Sequence, residues 1–102
     1  MELLFVYGTL REPAIQKKIF GRIIPGSPGV LHGYKISSKE FTDGIYPVIF
    51  PQEMDIVKGM VLEVTSSELS NCDEYEGDGY TRFKVTLESG KTAWVYTDVA
   101  FG

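Results

Sequence analysis

The 102-residue sequence contains few of the side chains that most often carry metal or nucleophilic chemistry. It has one cysteine, Cys72, and one histidine, His32. A zinc site built from cysteine and histidine needs more ligands than these two residues supply, and an internal disulfide bond needs a second cysteine. A Ser-His-Asp triad could use only His32, and no Gly-x-Ser-x-Gly motif is present. We therefore expect neither a metal nor another cofactor, and any catalysis must require little chemistry from the protein.

Long apolar runs and an excess of basic residues are also missing. No stretch approaches the roughly 20 apolar residues of a membrane span, and the opening Met-Glu-Leu-Leu lacks the basic start of a signal peptide. The net charge of −4 disfavours nucleic acid as a partner. The hydrophobic fraction of 43% is typical of a globular protein. We therefore expect a single cytoplasmic domain over residues 1–102 that binds neither nucleic acid nor membranes, with its oligomeric state left open.

The chain is organised around an apolar run near its beginning and the turn that follows it. Residues 3–7 are apolar or aromatic without interruption, which is typical of a strand covered on both faces, although a buried helix has the same pattern. Gly8 then allows a ligand to approach the main chain closely, Thr9 adds a hydroxyl and Arg11 adds a positive charge. The segment predicts a loop of amide donors suited to a carboxylate or another anion. A tight turn that only ends a core strand is the alternative.

Two short helices are indicated by residues typical of helix ends. Pro13 suits the first turn of a helix and Gly21 suits its end, so we expect a helix between them. Thr65 is the expected N-cap of the second helix, because Glu68 three residues later completes a capping box. Gly77 is placed to end this second helix.

The remaining apolar segments predict about six strands. Gly33 inside one of them indicates a bulge or a sharp bend, the feature by which small barrels turn corners. The polar segment 37–43 predicts a loop. These elements favour an α+β fold, a small mixed or antiparallel β-barrel, closed or partly closed, with two short helices. The predicted strands cover residues 3–7, 30–36, 44–51, 57–64, 80–87 and 92–97.

Several chemically notable side chains are interpreted as structural. Cys72 falls at helical spacing in the second helix and is interpreted as a small buried side chain rather than a nucleophile. His32 has no carboxylate or thiol near it in the sequence, so it is interpreted as a residue of the strand surface or a hydrogen-bonded residue rather than a base. Trp94 and Tyr96 share one face of a strand, which favours core packing for both.

Glu76 is the carboxylate that stands out. It lies in the last turn of the second predicted helix, where the helix dipole disfavours a negative charge by up to about 1 kcal/mol. Asp73, Glu74 and Asp78 place further acidic groups beside it. Like charges and burial both raise the pKa of a carboxyl group. Glu76 is therefore a candidate acid/base residue if the fold buries it, and a solvated acidic helix end is the alternative.

A series of short motifs runs along almost the whole chain. They are VYGTLR at residues 6–11, LHGY at 31–34, YP at 46–47, VKGMV at 57–61, DEYEG at 73–77, YTR at 80–82 and AWVY at 93–96. In their order and spacing they resemble the gamma-glutamylcyclotransferase-like superfamily, in its small branch that includes gamma-glutamylamine cyclotransferases. Cys72 departs from the pattern, because the family commonly has leucine there.

The resemblance implies a compact barrel with a cavity beside the first motif. It implies that Tyr7, Gly8, Thr9 and Leu10 hold the substrate and that Glu76 is the catalytic acid/base. The implied reaction cyclises a gamma-glutamyl group to 5-oxoproline and releases an amine or an amino acid. The implied partner is thus a small gamma-glutamyl compound, whose leaving group the sequence does not identify.

This reaction suits a chain with so few reactive side chains. The α-amine attacks the γ-carbonyl of the same molecule, and well-oriented intramolecular reactions can gain roughly 7–11 kcal/mol in this way. A second hypothesis is a non-catalytic module that binds a small carboxylate on the same fold. A third is a structural barrel with a filled interior, in which Glu76 would lie in solvent.

Overall fold

The computed structural model describes residues 1–41 and 44–98, without the side chains of residues 41, 78 and 98. Two short 3-10 turns lie at Thr9–Arg11 and Gly77–Gly79. The strands and helices in chain order are β1 (Glu2–Val6), α1 (Pro13–Phe20), β2 (Gly26–Phe41), β3 (Gly44–Val64), α2 (Ser66–Glu76), β4 (Tyr80–Thr86) and β5 (Thr92–Asp98).

The strands form one mixed sheet in which β1 is central. The order is β2-β3-β1-β5-β4, and β1 runs antiparallel to β3 and parallel to β5. The sheet curls until its two sides meet. Two hydrogen bonds join these sides: the Glu88 amide donates to the Val30 carbonyl at 2.9 Å, and the Thr97 hydroxyl donates to the Ile49 carbonyl at 2.6 Å. The result is a curled half-barrel with two helices, which confirms the predicted α+β fold class.

The long β2–β3 hairpin differs from the sequence prediction. The segments 44–51 and 57–64 were expected as separate strands, but β3 continues through them and through Met54, which has a φ of 78°. Residues 37–41, expected in a loop, extend β2, and the predicted loop positions 42–43 lie outside the described residues. Residues 37–40 are polar and mostly exposed, so main-chain pairing with β3 holds them in a strand without an apolar pattern.

The bend within this hairpin agrees with the prediction. The register of β2 against β3 shifts between His32 and Tyr34, and Gly33 has a φ of 83°. A positive φ is readily available to glycine, so the bulge forms there without strain.

Both faces of β1 are buried, as its apolar run predicts. Leu4 and Val6 pack toward the two helices, whereas Phe5 and Tyr7 pack inside the curl of the sheet. Alternate side chains of a strand point to opposite faces, so β1 joins the two hydrophobic clusters of the protein. This central position fixes where the strand ends and where the following loop begins.

The two helices begin and end near the predicted residues. Pro13 is in the first turn of α1, and Gly21 ends this helix with a φ of 75°. Thr65 and Glu68 make the reciprocal hydrogen bonds of a capping box at the start of α2. Arg22 binds both carboxylate oxygens of Glu68, at 2.8 and 3.0 Å, and this contact is the main reason that the pKa of Glu68 falls to about 2. No helix of the described part of the chain is long and apolar enough to span a bilayer.

Gly59 of β3 is required because the main chain of β1 lies close against it. A Cβ atom there would overlap the Val6 carbonyl oxygen and lie 2.9 Å from the Phe5 ring. Main-chain atoms of a central strand cannot move aside easily, so we expect Gly59→Ala to lower the free energy of unfolding by at least about 2 kcal/mol. Gly21→Ala is the control, since its Cβ would meet open space and only the positive φ is strained, at about 1 kcal/mol. Urea unfolding measures both, and equal losses would contradict the overlap.

Candidate active site

A cavity of about 300 Å³ opens where β1 ends. The five residues singled out from the sequence, Tyr7, Gly8, Thr9, Leu10 and Glu76, all line it. The size is at the lower end of the range for small-molecule sites, roughly 300–1,000 Å³. The other walls come from the β2–β3 hairpin, the end of α2 and the adjoining strands, through Phe5, Val6, Tyr46, Pro47, Tyr75, Gly79, Tyr80 and Tyr96.

Residues 7–10, which we call the 7–10 loop, contact β5 on one side and the β2–β3 hairpin on the other. The Tyr7 hydroxyl donates to the Tyr96 carbonyl at 2.6 Å, and burial raises the pKa of Tyr7, so the hydroxyl stays neutral. Gly8 touches the β2–β3 hairpin, because a Cβ atom there would lie 2.9 Å from Pro47 Cγ. The missing side chain of Gly8 therefore leaves room for Pro47 of the hairpin. From the sequence, this room was expected to serve the approach of a ligand.

Glu76 lines the same cavity as this loop, although the two are far apart in the sequence. It is the last residue of α2, and Gly77, with a φ of 69°, ends the helix immediately after it. The Glu76 side chain is largely buried in the cavity wall, and burial raises its pKa to about 7. The sequence predicted a raised pKa from burial together with neighbouring acids, and burial is the cause that the structure supports.

Asp73, one of those neighbouring acids, is neutralised by a partner. Arg82 binds both Asp73 oxygens, at 2.7 and 3.0 Å, and lowers the Asp73 pKa. The Tyr96 hydroxyl also donates to Asp73, at 2.6 Å. Arg82 in turn stacks on Trp94 at 4.3 Å from the ring centre, and the Trp94 indole donates to Glu2 at 2.8 Å. This network fixes the end of α2 against β4 and β5, and so fixes the position of Glu76.

Trp94 and Tyr96 differ in their packing. Tyr96 is buried in the helix-side cluster, as expected for a core residue. Trp94 packs against the same cluster but is only half-buried, and the charged side chains of Arg82 and Lys84 lie over its ring.

The cavity wall is rich in tyrosine, which the sequence reasoning did not assign to the site. The chain has six tyrosines, and all but Tyr34 line the cavity. Among the described residues, the lining contains no lysine or arginine. A bound carboxylate would therefore contact main-chain amides and hydroxyl groups, with Glu76 as the ionisable acid beside it. The signal was available, because the four missed tyrosines all stand in the short motifs: Tyr46, Tyr75, Tyr80 and Tyr96.

The cysteine and the histidine do not line this cavity. Cys72 is fully buried in the helix-side cluster, as predicted. His32 is exposed and lies 2.6 Å from a Glu88 carboxylate oxygen, where β2 meets the β4–β5 turn. Its partner is far away in sequence, which is why no local pattern revealed it. Within residues 1–41 and 44–98, no three His, Cys, Asp or Glu side chains cluster as metal ligands would.

A family model described as "Gamma-glutamyl cyclotransferase, AIG2-like" matches residues 4–99. The chain belongs to this family. Protein AIG2 C and AIG2-like protein B, both of Arabidopsis thaliana, are 39% identical over 87 residues and 38% identical over 85 residues. The matches cover 83% and 82% of this chain but 50% and 48% of those proteins. The chain therefore spans about half the length of these curated relatives.

Solved structures show the same fold for this AIG2-like chain. A solution structure from Arabidopsis thaliana is 31% identical with a TM-score of 0.82, covering 97% of this chain and 62% of that one. A solved gamma-glutamyl cyclotransferase has a TM-score of 0.79 at 23% identity, covering 96% and 66%. An uncharacterised human protein gives 0.80 at 23% identity, covering 99% and 68%. At these identities the last two show the shared fold alone.

The raised pKa of Glu76 makes the stability of the fold depend on pH. The pKa of Glu76 is about 7 in the folded state and near 4.5 in the unfolded state. The contribution of this group to the free energy of unfolding is fully present below about pH 4.5 and is lost as the pH rises through 7. Glu76→Gln removes this dependence on pH. We expect the variant to gain about 1–3 kcal/mol of unfolding free energy over the wild type at pH 8–9, and no such gain at pH 4.5.

Urea unfolding at a series of pH values measures this difference. Glu74→Gln is the matched control, because Glu74 lies on the same helix but is exposed. Parallel pH curves for the wild type and Glu76→Gln would show that Glu76 is not buried as described.

Proposed function

We propose that this chain catalyses a gamma-glutamyl cyclotransferase reaction, with Glu76 as the general acid/base and Tyr7, Gly8, Thr9 and Leu10 holding the substrate. The observation that carries the proposal is the shared cavity, which is lined both by Glu76, whose pKa burial raises to about 7, and by the 7–10 loop. Membership of the AIG2-like family supports it.

The proposed reaction needs one base, one acid and one anion-binding loop. The Glu76 carboxylate takes a proton from the α-ammonium of the gamma-glutamyl group, and the free amine attacks the γ-carbonyl carbon. A C–N bond forms and closes the five-membered ring. The bond to the leaving nitrogen then breaks and Glu76 returns its proton to that nitrogen. The ring nitrogen gives up its second proton to solvent, and the products are 5-oxoproline and a free amine.

The pKa of Glu76 suits this proton transfer. An α-ammonium has a pKa of about 8, so an ordinary glutamate with a pKa near 4.3 would face a penalty of about 5 kcal/mol. With a pKa of about 7, the penalty falls to about 1–2 kcal/mol. The same group remains acidic enough to protonate the departing nitrogen at neutral pH.

The tyrosine-rich wall supports a ligand that carries its own ammonium group. Aromatic rings and a carboxylate both attract cations, and five tyrosines and Glu76 line one small cavity. The ligand's carboxylate, in contrast, must be held by neutral donors, for which the main-chain N–H groups of the 7–10 loop are suited. We propose a gamma-glutamyl compound as the substrate and leave its leaving group to be found by experiment.

The activity assay combines a substrate panel with one isosteric substitution. Incubation with gamma-glutamyl amino acids, gamma-glutamyl-ε-lysine and simple gamma-glutamyl amines should release 5-oxoproline from at least one compound. Glu76→Gln keeps the shape of the side chain but cannot exchange a proton, so turnover should fall by at least about 100-fold. The wild-type rate should rise with pH through about 7, as Glu76 ionises.

Glu74→Gln again serves as the control and should retain full activity, because its exposed side chain is not in the cavity wall. Turnover by Glu76→Gln at the wild-type rate would refute the assignment of the acid/base. If no compound is turned over while 5-oxoproline binds to the cavity, the chain is the non-catalytic carboxylate-binding module instead.

A further inference from the structure

Gln16 is a buried polar residue of α1 that the proposed reaction does not use. Its side chain is 3% exposed and faces the same core as Phe20. A buried amide is tolerated when its hydrogen-bonding groups are satisfied. Both ends of the Gln16 carboxamide bind the main chain, since Nε2 donates to the Leu10 carbonyl and Oε1 accepts from the Ile24 N–H, each at 2.9 Å.

The bond to Leu10 begins a chain of hydrogen-bonded peptide groups that leads to the candidate site. The peptide group between Leu10 and Arg11 accepts from Gln16 at its carbonyl end, and its Arg11 N–H donates to the Gly8 carbonyl at 3.1 Å. The Arg11 guanidinium also donates to this Gly8 oxygen, through Nε at 3.3 Å. The peptide group between Gly8 and Thr9 therefore receives two donors at its carbonyl end.

The far end of that last peptide group is the Thr9 N–H. In a trans peptide the carbonyl and the N–H point in opposite directions, and no cis peptide bond occurs in the described part of the chain. The Thr9 N–H therefore points away from the donors on Arg11, and Thr9 lines the cavity that contains Glu76. Each hydrogen bond in such a chain polarises the next, and the guanidinium places a positive charge behind the final donor.

We propose that Gln16 is a positioning residue that holds the 7–10 loop so that the Thr9 N–H is oriented and polarised as a donor for an anionic oxygen of the ligand. That the ligand is a gamma-glutamyl compound rests on the proposed function. The chain of peptide groups does not rest on it, so the two proposals can fail separately.

Amide NMR spectra test the peptide chain without any ligand. Gln16→Met removes both hydrogen bonds while keeping a side chain of similar length, and we expect the amide protons of Arg11 and Thr9 to move upfield as their hydrogen bonding and polarisation weaken. Arg11→Met is a second variant at an exposed position, so it tests the Thr9 amide without disturbing the core. Lys18→Met, which introduces the same residue at an exposed position of the same helix, is the control that should leave both amides in place.

Kinetics and ligand binding test the consequence for the site. For a substrate that the wild type turns over, kcat/KM of Gln16→Met should fall roughly 10- to 100-fold with the pH dependence of Glu76 unchanged. A rise in KM alone would indicate that the Thr9 N–H holds the ground-state carboxylate, and a fall in kcat would indicate the oxyanion of the transition state. Addition of 5-oxoproline should shift the Thr9 amide of the wild type more than that of the variant.

The outcomes separate the two proposals. A Thr9 amide that is unshifted in both Gln16→Met and Arg11→Met would overturn the role of Gln16, as would a folded Gln16→Met with kcat/KM within twofold of the wild type. One outcome is that the variants show the expected amide shifts while the wild type turns over no gamma-glutamyl compound. That result would support the role of Gln16 and contradict the proposed reaction.

Discussion

The burial of one carboxyl group at the end of α2 is the constraint on which the site depends. Burial of Glu76 disfavours its ionised form and raises its pKa to about 7, and the wall that the described residues form supplies tyrosines rather than a lysine or an arginine. Such a site costs stability whenever Glu76 is ionised. The remainder of the fold must therefore hold the carboxyl group in place against its tendency to turn toward water.

Strong ionic contacts hold α2 near both of its ends. Near its start, the capping box and the bidentate contact with Arg22 fix Glu68. Near its end, Arg82 and Tyr96 fix Asp73 one turn before Glu76. These two acids have lowered pKa values, whereas Glu76, which has no such partner among the described residues, has a raised one. One short acidic helix thus carries two carboxyl groups with lowered pKa values and one with a raised pKa, and the difference lies in their neighbours.

The opposite wall of the cavity depends on β1. Because this strand is central and buried on both faces, its end is among the most constrained points of the sheet. The loop that follows is fastened by Tyr7 to β5, by Gly8 to the hairpin and by Gln16 to α1. A loop held from three directions can present main-chain donors in a fixed arrangement, which is what recognition of a small anion requires.

The sequence by itself determined the elements whose signals are local. The apolar run of β1, the Pro13 and Gly21 ends of α1, and the capping box of α2 depend on residues a few positions apart, and all three are present in the structure. The motifs also placed Glu76 and the 7–10 loop among the candidate residues. These features required no knowledge of how distant segments meet.

Only the tertiary structure decided what depends on long-range contacts. The polar residues 37–40 lie in a strand because a partner strand pairs with them, and His32 has a carboxylate partner 56 residues away. The role of the tyrosines, the neutralisation of Asp73 and the raised pKa of Glu76 likewise come from segments that meet only when the sheet curls. Burial and electrostatic environment are properties of the assembled fold, so no local pattern of residues can specify them.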